Sequence, residues 1–242
     1  MKTSMKAALA LALVEALAGT AAQAEVVKKT DTINGTVVEY VVVLPNGYDP
    51  AKAYPAVLAF PPGDQTMALA EGMVRLVWRK HAEERGYIVI EPAAPEGTRF
   101  FQGGDRIFPA FFDKIQSDYK ILDNKFHIAG ISAGGTSAFW IAAHYPEKFW
   151  SVTGFPGRFR DGTSEQVEAF AKMCIHMFVG ELDTDTTRND MREQAEAFRA
   201  RGFNVSFSVE KDEQHVILGL TKEGAGRLFD QFEVARNGTC AH

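Results

Sequence analysis

Short apolar runs alternate with longer stretches of helical pattern over most of this 242-residue chain. An apolar run at 56–60 precedes a helical stretch at 66–85, and a second run at 87–90 precedes a helical stretch at 106–119. The alternation continues with strands at 125–130, 150–154, 174–180 and 203–209 and with helices at 133–145, 164–173, 187–201 and 221–236. Because strands that alternate with helices form parallel pairs, the pattern predicts an α/β fold, a parallel sheet with helices on both faces.

The chain before this alternation has the pattern of an antiparallel hairpin. β-Branched runs at 26–33 and 36–44 flank Asn34-Gly35, the pair that best adopts the positive φ angles of a two-residue turn. At the other end of the sheet, residues 203–209 alternate apolar and polar side chains, which indicates a half-exposed strand near an edge. We therefore expect a mostly parallel sheet that begins with an antiparallel hairpin.

Residues 1–24 have the composition of an export signal. Two lysines precede a stretch of mostly Ala and Leu, and Ala22-Gln23-Ala24 supplies the small residues that a signal peptidase recognises. The apolar run at 7–14 is well short of the roughly 20 residues that a bilayer requires, so no stable membrane span is expected. Glu15 within the apolar stretch leaves an amphipathic helix as the alternative. We predict a signal peptide, a single domain at 25–242, and an exported protein that is periplasmic or secreted.

Composition excludes several classes of protein. The chain has 26 Lys and Arg against 31 Asp and Glu, a formal net charge of -5, so it lacks the basic excess that nucleic-acid binding requires. Its hydrophobic fraction of 46% is that of a globular protein rather than a disordered one. The two cysteines are too few for a disulfide framework or a CxxC-type zinc site.

One motif carries the chemistry. Residues Gly130 to Gly134 match G-x-S-x-G, a sharp strand-to-helix turn that projects a Ser hydroxyl above the carboxyl edge of a sheet. The apolar strand at 126–129 ends at the motif, and the small residues after it allow a helix to turn back closely over that strand. We therefore predict Ser132 as a nucleophile of acyl transfer. An ordinary glycine-rich turn is the alternative.

A Ser nucleophile needs a base that is itself oriented by a third group. His215 lies in a polar loop after the last predicted strand, where a base can reach Ser132. The other histidines are expected to be packed or solvated: His81, His127, His144, His176 and His242. Chains with this turn run Ser, then Asp or Glu, then His, and Asp183 fits best because it follows a buried strand. Asp185, which also suits a helix cap, and Glu181 stay open as alternatives.

The transition state of acyl transfer carries an oxyanion that needs two N–H donors. Ala133, directly after the nucleophile, supplies one. The second is expected from the loop after the strand at 56–60, where the first two residues are prolines without N–H groups. Gly63 is the first candidate, with the N–H of Asp64 or Gln65 as alternatives.

Several longer segments carry a family resemblance. They are Asn46-Gly47-Tyr48-Asp49-Pro50 with 54–58, then Gly63-Asp64-Gln65, then 123–135 with Tyr145-Pro146-Glu147-Lys148-Phe149. With them the chain after residue 24 resembles, over essentially its whole length, the poly(3-hydroxybutyrate)-depolymerase-like and feruloyl-esterase-like branch of the α/β-hydrolases.

The resemblance implies an α/β-hydrolase fold and a triad carried by Ser132, Asp183 and His215. It also implies hydrolysis of a small-molecule or oligomeric carboxylic ester without a metal or another cofactor. Relatives usually have His-Gly where this chain has Pro61-Pro62, which leaves the geometry of the oxyanion loop open. A serine peptidase or acyltransferase on the same triad, or a binding protein on a hydrolase scaffold, are the competing hypotheses.

Two features bear on access to the site. Few residues separate the strand at 150–154 from the helix at 164–173, so no cap domain is expected over the nucleophile. Phenylalanines follow two strands near the site, and they either form an aromatic wall for the substrate or pack in the core: Phe100, Phe101, Phe108, Phe111, Phe112, Phe155 and Phe159.

The two cysteines are placed to meet. Cys174 begins a strand, at the edge of the sheet away from the predicted site, and the closing helix runs back toward that edge and brings Cys240 there. Because an exported protein meets an oxidising compartment, we expect a disulfide between them. Two unpaired thiols are the alternative.

Overall fold

A computed structural model describes residues 25–240, so the predicted signal peptide at 1–24 and the terminal His242 lie outside the described residues. Its strands are β1 (Val26–Ile33), β2 (Thr36–Val43), β3 (Tyr54–Phe60), β4 (Ile88–Pro92), β5 (Ile121–Gly130), β6 (Phe149–Gly154), β7 (Cys174–Gly180) and β8 (Val205–Glu210). They form one sheet in the order β1-β2-β4-β3-β5-β6-β7-β8.

The sheet is antiparallel at one end and parallel over the rest. Strand β1 pairs antiparallel with β2, and β2 pairs antiparallel with β4. The turn between β1 and β2 has φ of 50° at Asn34 and 79° at Gly35, the positive angles that a two-residue hairpin turn needs. All other neighbouring strands are parallel. The predicted hairpin and the predicted parallel sheet are both confirmed.

Helices cover both faces of this sheet. They are α1 (Met67–Met73), α2 (Arg79–Arg85), α3 (Ala110–Asp118), α4 (Ala133–His144), α5 (Ser164–Glu168), α6 (Asp185–Ala200) and α7 (Gly226–Arg236), with a π turn at Val74–Trp78 that joins α1 to α2. Helices α3, α4 and α6 pack on one core, and α1, α2 and α7 pack on a second core. In β3, Leu58 belongs to the first core and Val57 to the second, because successive strand residues point to opposite faces.

Two helices begin later than the sequence pattern indicated. In the stretch predicted at 106–119, a 3₁₀ turn at Gly104–Ile107 ends at Phe108, and the α-helix begins only at Ala110, because Phe108 precedes a proline and is extended, with ψ of 150°. The stretch predicted at 221–236 opens as a 3₁₀ turn at Lys222–Ala225 before α7. Residues 155–163 join β6 to α5 without an inserted helix or strand, as expected for a fold without a cap domain. Along the described residues, no helix is both long and apolar enough to cross a bilayer.

The second core contains buried histidines. His127 is fully buried, donates or accepts one hydrogen bond of 2.8 Å with the hydroxyl of Ser151, and stacks on Phe232. His176 is 1% exposed, and neither of its ring nitrogens has a hydrogen-bond partner among the described residues. Burial lowers the pKa of His176 to about 4, because the charged imidazolium is poorly solvated there.

We expect the free energy of unfolding to fall as the pH is lowered through the window from 6.5 to about 4. In the unfolded chain His176 takes up a proton below its ordinary pKa, whereas in the folded chain it stays neutral until about pH 4. The difference corresponds to about 3 kcal/mol of stability at neutral pH that is lost on acidification. Urea unfolding of the parent protein and His176→Leu at pH 7, 6 and 5 measures it. The variant should lose less stability across this series, and parallel losses would contradict the assignment.

A disulfide ties the end of the chain to the sheet. Cys174 begins β7, Cys240 follows α7, and the two residues are bonded, with their Cα atoms 5.3 Å apart. The pairing expected from the sequence is therefore present in the structure. The bond closes a segment that spans 66 positions.

Loss of this disulfide is expected to lower the free energy of unfolding by about 4 kcal/mol in the chain-entropy view, since the unfolded chain gains freedom. Urea unfolding of Cys240→Ala tests this, with the parent protein in reducing agent as the control. Both should show the same loss. Thiol titration of unreduced, denatured parent protein should find no free thiol, and two free thiols would contradict the bond.

Candidate active site

The turn between β5 and α4 holds Ser132 in a backbone conformation that few residues adopt. Its φ of 56° and ψ of -117° lie outside the ordinary allowed regions. A Cβ added to Gly130 would stand 2.3 Å from the carbonyl carbon of Gly134, and one added to Gly134 would stand 2.1 Å from the carbonyl oxygen of Phe60. Only glycine permits these contacts, which allow α4 to fold back over β5 and β3 and raise Ser132 above the carboxyl edge of the sheet.

The structure brings Ser132, His215 and Asp183 into one hydrogen-bonded chain. The Nε2 atom of His215 is 2.9 Å from the hydroxyl of Ser132, and its Nδ1 atom is 2.8 Å from Oδ2 of Asp183. With a proton on Nδ1, the ring donates to Asp183 and accepts the hydroxyl proton of Ser132. The side chain of His215 is 47% exposed, whereas that of Asp183 is 1% exposed. This arrangement orients an imidazole for proton transfer from a hydroxyl at the floor of an open cleft.

The three acidic candidates have different surroundings. Asp183 is buried at the end of the β7 segment, where its second oxygen accepts the N–H of Thr184 at 2.6 Å. Asp185, in contrast, is 84% exposed in the first turn of α6 and pairs with Arg188. Glu181 accepts the N–H of Asp212 at 3.0 Å. Of the three, only Asp183 contacts His215, while the other two stabilise the neighbouring backbone and helix start.

The two residues proposed as oxyanion donors sit on different elements. Ala133 is the first residue of α4, so its N–H is not part of the helical ladder. Gly63 lies in a turn closed by a 3.1 Å hydrogen bond from the N–H of Gln65 to the carbonyl of Pro62. Ala133 lines the cleft beside Ser132, and Gly63 does not. The role of Gly63 as second donor stays a prediction.

Gln65 fixes the loop after β3, in which the second oxyanion donor is predicted. Its side chain is fully buried, donates to the hydroxyl of Ser137 at 3.0 Å and accepts the N–H of Phe100 at 3.0 Å. The backbone carbonyl of Gln65 accepts the N–H of Ala94 at 2.7 Å. One amide thereby connects the loop after β3 to helix α4 and to the segment after β4. The sequence pattern indicated a role only for the backbone N–H of Gln65, because nothing local marks its side chain as buried.

Ser132 and His215 open onto a cleft with a volume of about 400 Å³. Its lining includes three arginines, Arg99, Arg158 and Arg160, and the hydroxyl side chains of Thr184, Thr186 and Thr187. The sequence does not distinguish these arginines from others, because they lie in segments without helical or strand periodicity. No local signal in those segments marks them.

Of the two roles considered for the seven phenylalanines, packing in the core is confirmed for six. Of the seven phenylalanines, Phe101 lines the cleft. The others are buried in the two cores: Phe100, Phe108, Phe111, Phe112, Phe155 and Phe159. They stabilise the fold through apolar burial, since a side chain without solvent exposure offers no surface to a substrate.

Among residues 25–240, no group of three or more His, Cys, Asp or Glu side chains is arranged to hold a metal ion.

Part of this chain is similar in sequence to known proteins. Residues 107–217 match the family model described as "Putative esterase". The chain is also 30% identical over 130 residues to dipeptidyl-peptidase 5 of Porphyromonas gingivalis, an alignment that covers 49% of this chain and 19% of that protein. The chain therefore spans about a fifth of the length of this curated relative.

Solved structures share the architecture at low sequence identity. An S-formylglutathione hydrolase from Agrobacterium tumefaciens superposes with a TM-score of 0.67 at 16% identity, covering 88% of this chain and 94% of that one. A feruloyl esterase module from Clostridium thermocellum gives a TM-score of 0.63 at 16% identity, covering 80% of this chain and 83% of that one. These similarities show the fold, and the protein has the α/β-hydrolase fold. Together with the family match they support the esterase resemblance that the sequence carries.

Asp183 contacts His215 and Asp185 does not, so the two residues are expected to differ in their effect on Ser132. We expect Asp183→Asn to slow the labelling of Ser132 by a fluorophosphonate probe about a thousandfold or more, because an amide beside Nδ1 favours the wrong tautomer of His215. The matched change Asp185→Asn, on an exposed residue two positions away, should leave the labelling rate within about twofold of the parent. Time courses of labelling measure both. Equal effects of the two changes would contradict the assignment of Asp183.

Proposed function

We propose that this protein is a serine hydrolase that cleaves carboxylic esters through an acyl-enzyme on Ser132. The observation that carries the proposal is the chain of hydrogen bonds from Ser132 through His215 to the buried Asp183. A hydroxyl that donates to an oriented imidazole is the arrangement by which an otherwise weak nucleophile becomes reactive. The matched esterase family and the esterases among the structural neighbours support the choice of an ester as substrate.

The proposed reaction has two halves. The Oγ atom of Ser132 attacks the ester carbonyl while Nε2 of His215 takes the hydroxyl proton, and the imidazolium is stabilised by Asp183. The N–H of Ala133, with a second donor for which Gly63 is our candidate, stabilises the negative charge on the carbonyl oxygen. The alcohol leaves with the proton held by His215. Water then attacks the acyl-enzyme, with His215 as the base, and releases the acid.

One observation favours a second candidate, a serine peptidase on the same residues. The curated relative from Porphyromonas gingivalis is described as a dipeptidyl-peptidase. The attack by Ser132 is common to esters and amides, so the two candidates differ in the leaving group. Turnover of alanyl-alanyl p-nitroanilide, whose two residues match the unit that a dipeptidyl-peptidase releases, against p-nitrophenyl acetate discriminates them, and we expect the ester to be the better substrate.

We also propose that the protein is exported. The composition of residues 1–24 and the bond between Cys174 and Cys240 both support this, because disulfides persist in oxidising compartments.

Ser132→Ala is expected to abolish fluorophosphonate labelling and to reduce the hydrolysis of p-nitrophenyl acetate and butyrate at least about a thousandfold, since the attacking atom is removed. Ser164→Ala, at an exposed Ser outside the cleft, is the matched control and should label and turn over like the parent. Circular dichroism checks that both variants fold. A folded parent protein that neither labels nor turns over ester would overturn the proposal and favour a binding protein on a hydrolase scaffold.

A further inference from the structure

The cleft beside Ser132 is more basic than the chain that surrounds it. The protein carries a formal net charge of -5, yet Arg99, Arg158 and Arg160 all line this one cleft. Ligand pockets are commonly lined by apolar side chains with a few polar groups. Several guanidinium groups beside a nucleophile, in a protein that is acidic as a whole, indicate that the substrate is negatively charged.

The two loops that carry these arginines are held firmly. Arg158 and Arg160 flank Phe159, whose ring is buried and whose backbone N–H and carbonyl are both bonded at 2.8 Å by the side-chain amide of Gln194. Arg99 precedes Phe100, which is buried and bonded by Gln65. In each loop a buried phenylalanine therefore fixes the backbone beside the arginines that line the cleft.

The loop with Arg158 and Arg160 is also fastened to the nucleophile turn. The carbonyl of Pro156 accepts the N–H of Ser132 at 2.7 Å. A Cβ added to Gly157 would stand 2.5 Å from the Cα atom of Gly135, so the two backbones are in direct contact. The backbone of the loop that carries these arginines is therefore fixed relative to Ser132 by direct backbone contacts.

The acidic groups in and beside the cleft, Asp190 in its lining and Asp64 outside it, compensate only part of this charge. Arg158 pairs with Asp190 at 2.5 Å, and Arg99 pairs with Asp64. Asp64 is 76% exposed, so that pair is largely in solvent. Among the described residues, Arg160 has no ion-pair partner within 4 Å. Its guanidinium is the charge left available to a ligand in the cleft.

We propose that the ester cleaved at Ser132 carries an anionic group, a carboxylate or a phosphate, that Arg160 binds with help from Arg158. This inference rests on the proposed esterase function and specifies its substrate class. A guanidinium presents paired N–H donors that match the oxygens of either anion. The contact draws the substrate into the cleft and holds the scissile carbonyl beside Ser132.

Paired substrates test the charge preference and locate the anion. For an anion on the acid side, mono-p-nitrophenyl glutarate is compared with p-nitrophenyl valerate. For an anion on the alcohol side, 4-acetoxybenzoate and 4-acetoxyphenyl phosphate are compared with 4-acetoxybenzamide, by titration of the released acid. We expect kcat/KM to favour the anionic member of at least one pair about tenfold or more, chiefly through a lower KM. A factor of about ten corresponds to the contribution of one charge-assisted hydrogen bond.

Variants then connect the preference to Arg160. Arg160→Gln should remove the preference, and Arg160→Lys should restore part of it, because the charge returns without the paired donors. Arg192→Gln, an exposed arginine of α6 outside the cleft, is the matched control and should keep the full preference.

Failure of the charge recognition and failure of the esterase activity give different results. Hydrolysis of neutral and anionic esters at equal kcat/KM by the parent protein, or an unchanged preference in Arg160→Gln, overturns the charge recognition while the esterase stands. Failure to hydrolyse any of the esters, together with absent fluorophosphonate labelling, overturns both.

Discussion

Backbone-to-backbone contact at glycines is the constraint on which the site depends. Gly130 and Gly134 touch across the nucleophile turn, and Gly134 also lies against the carbonyl groups at the end of β3. Gly135 meets Gly157 in the same way. These contacts join three separate segments around Ser132: the loop after β3, the turn from β5 to α4, and the loop that carries Arg158 and Arg160. A side chain at any of these positions would force the segments apart, because backbone atoms cannot give way as a flexible side chain can.

Buried side chains outside the triad carry much of the positioning. The amide of Gln65 links the loop after β3 to α4 and to the segment after β4, and the amide of Gln194 holds the loop with Arg158 and Arg160 through Phe159. Fully satisfied polar groups in a low-dielectric interior define a unique arrangement, since any displacement leaves a donor or acceptor unpaired. The Pro61-Pro62 sequence that departs from the resembled family therefore sits in a loop with its own fixed support.

Much of the fold followed from the sequence because its signals are local. The Asn34-Gly35 turn, the apolar runs and the G-x-S-x-G motif each act through a few neighbouring residues, and the structure has the corresponding hairpin, parallel strands and nucleophile turn. Two helix starts differ from the sequence pattern. The α-helix predicted from residue 106 begins at Ala110, because Pro109 keeps the backbone of Phe108 extended.

Sequence alone determined the residue types of the candidate site and their order, because a Ser, an acid and a His that each follow a strand come together at the carboxyl edge of a parallel sheet. Tertiary structure decided which acid contacts His215, since Asp183 and Asp185 differ in burial and not in local pattern. It also decided that six of the seven phenylalanines belong to the core while three arginines line the cleft. The direction of a side chain in an irregular loop depends on what packs beneath that loop, and those contacts come from residues distant in the chain.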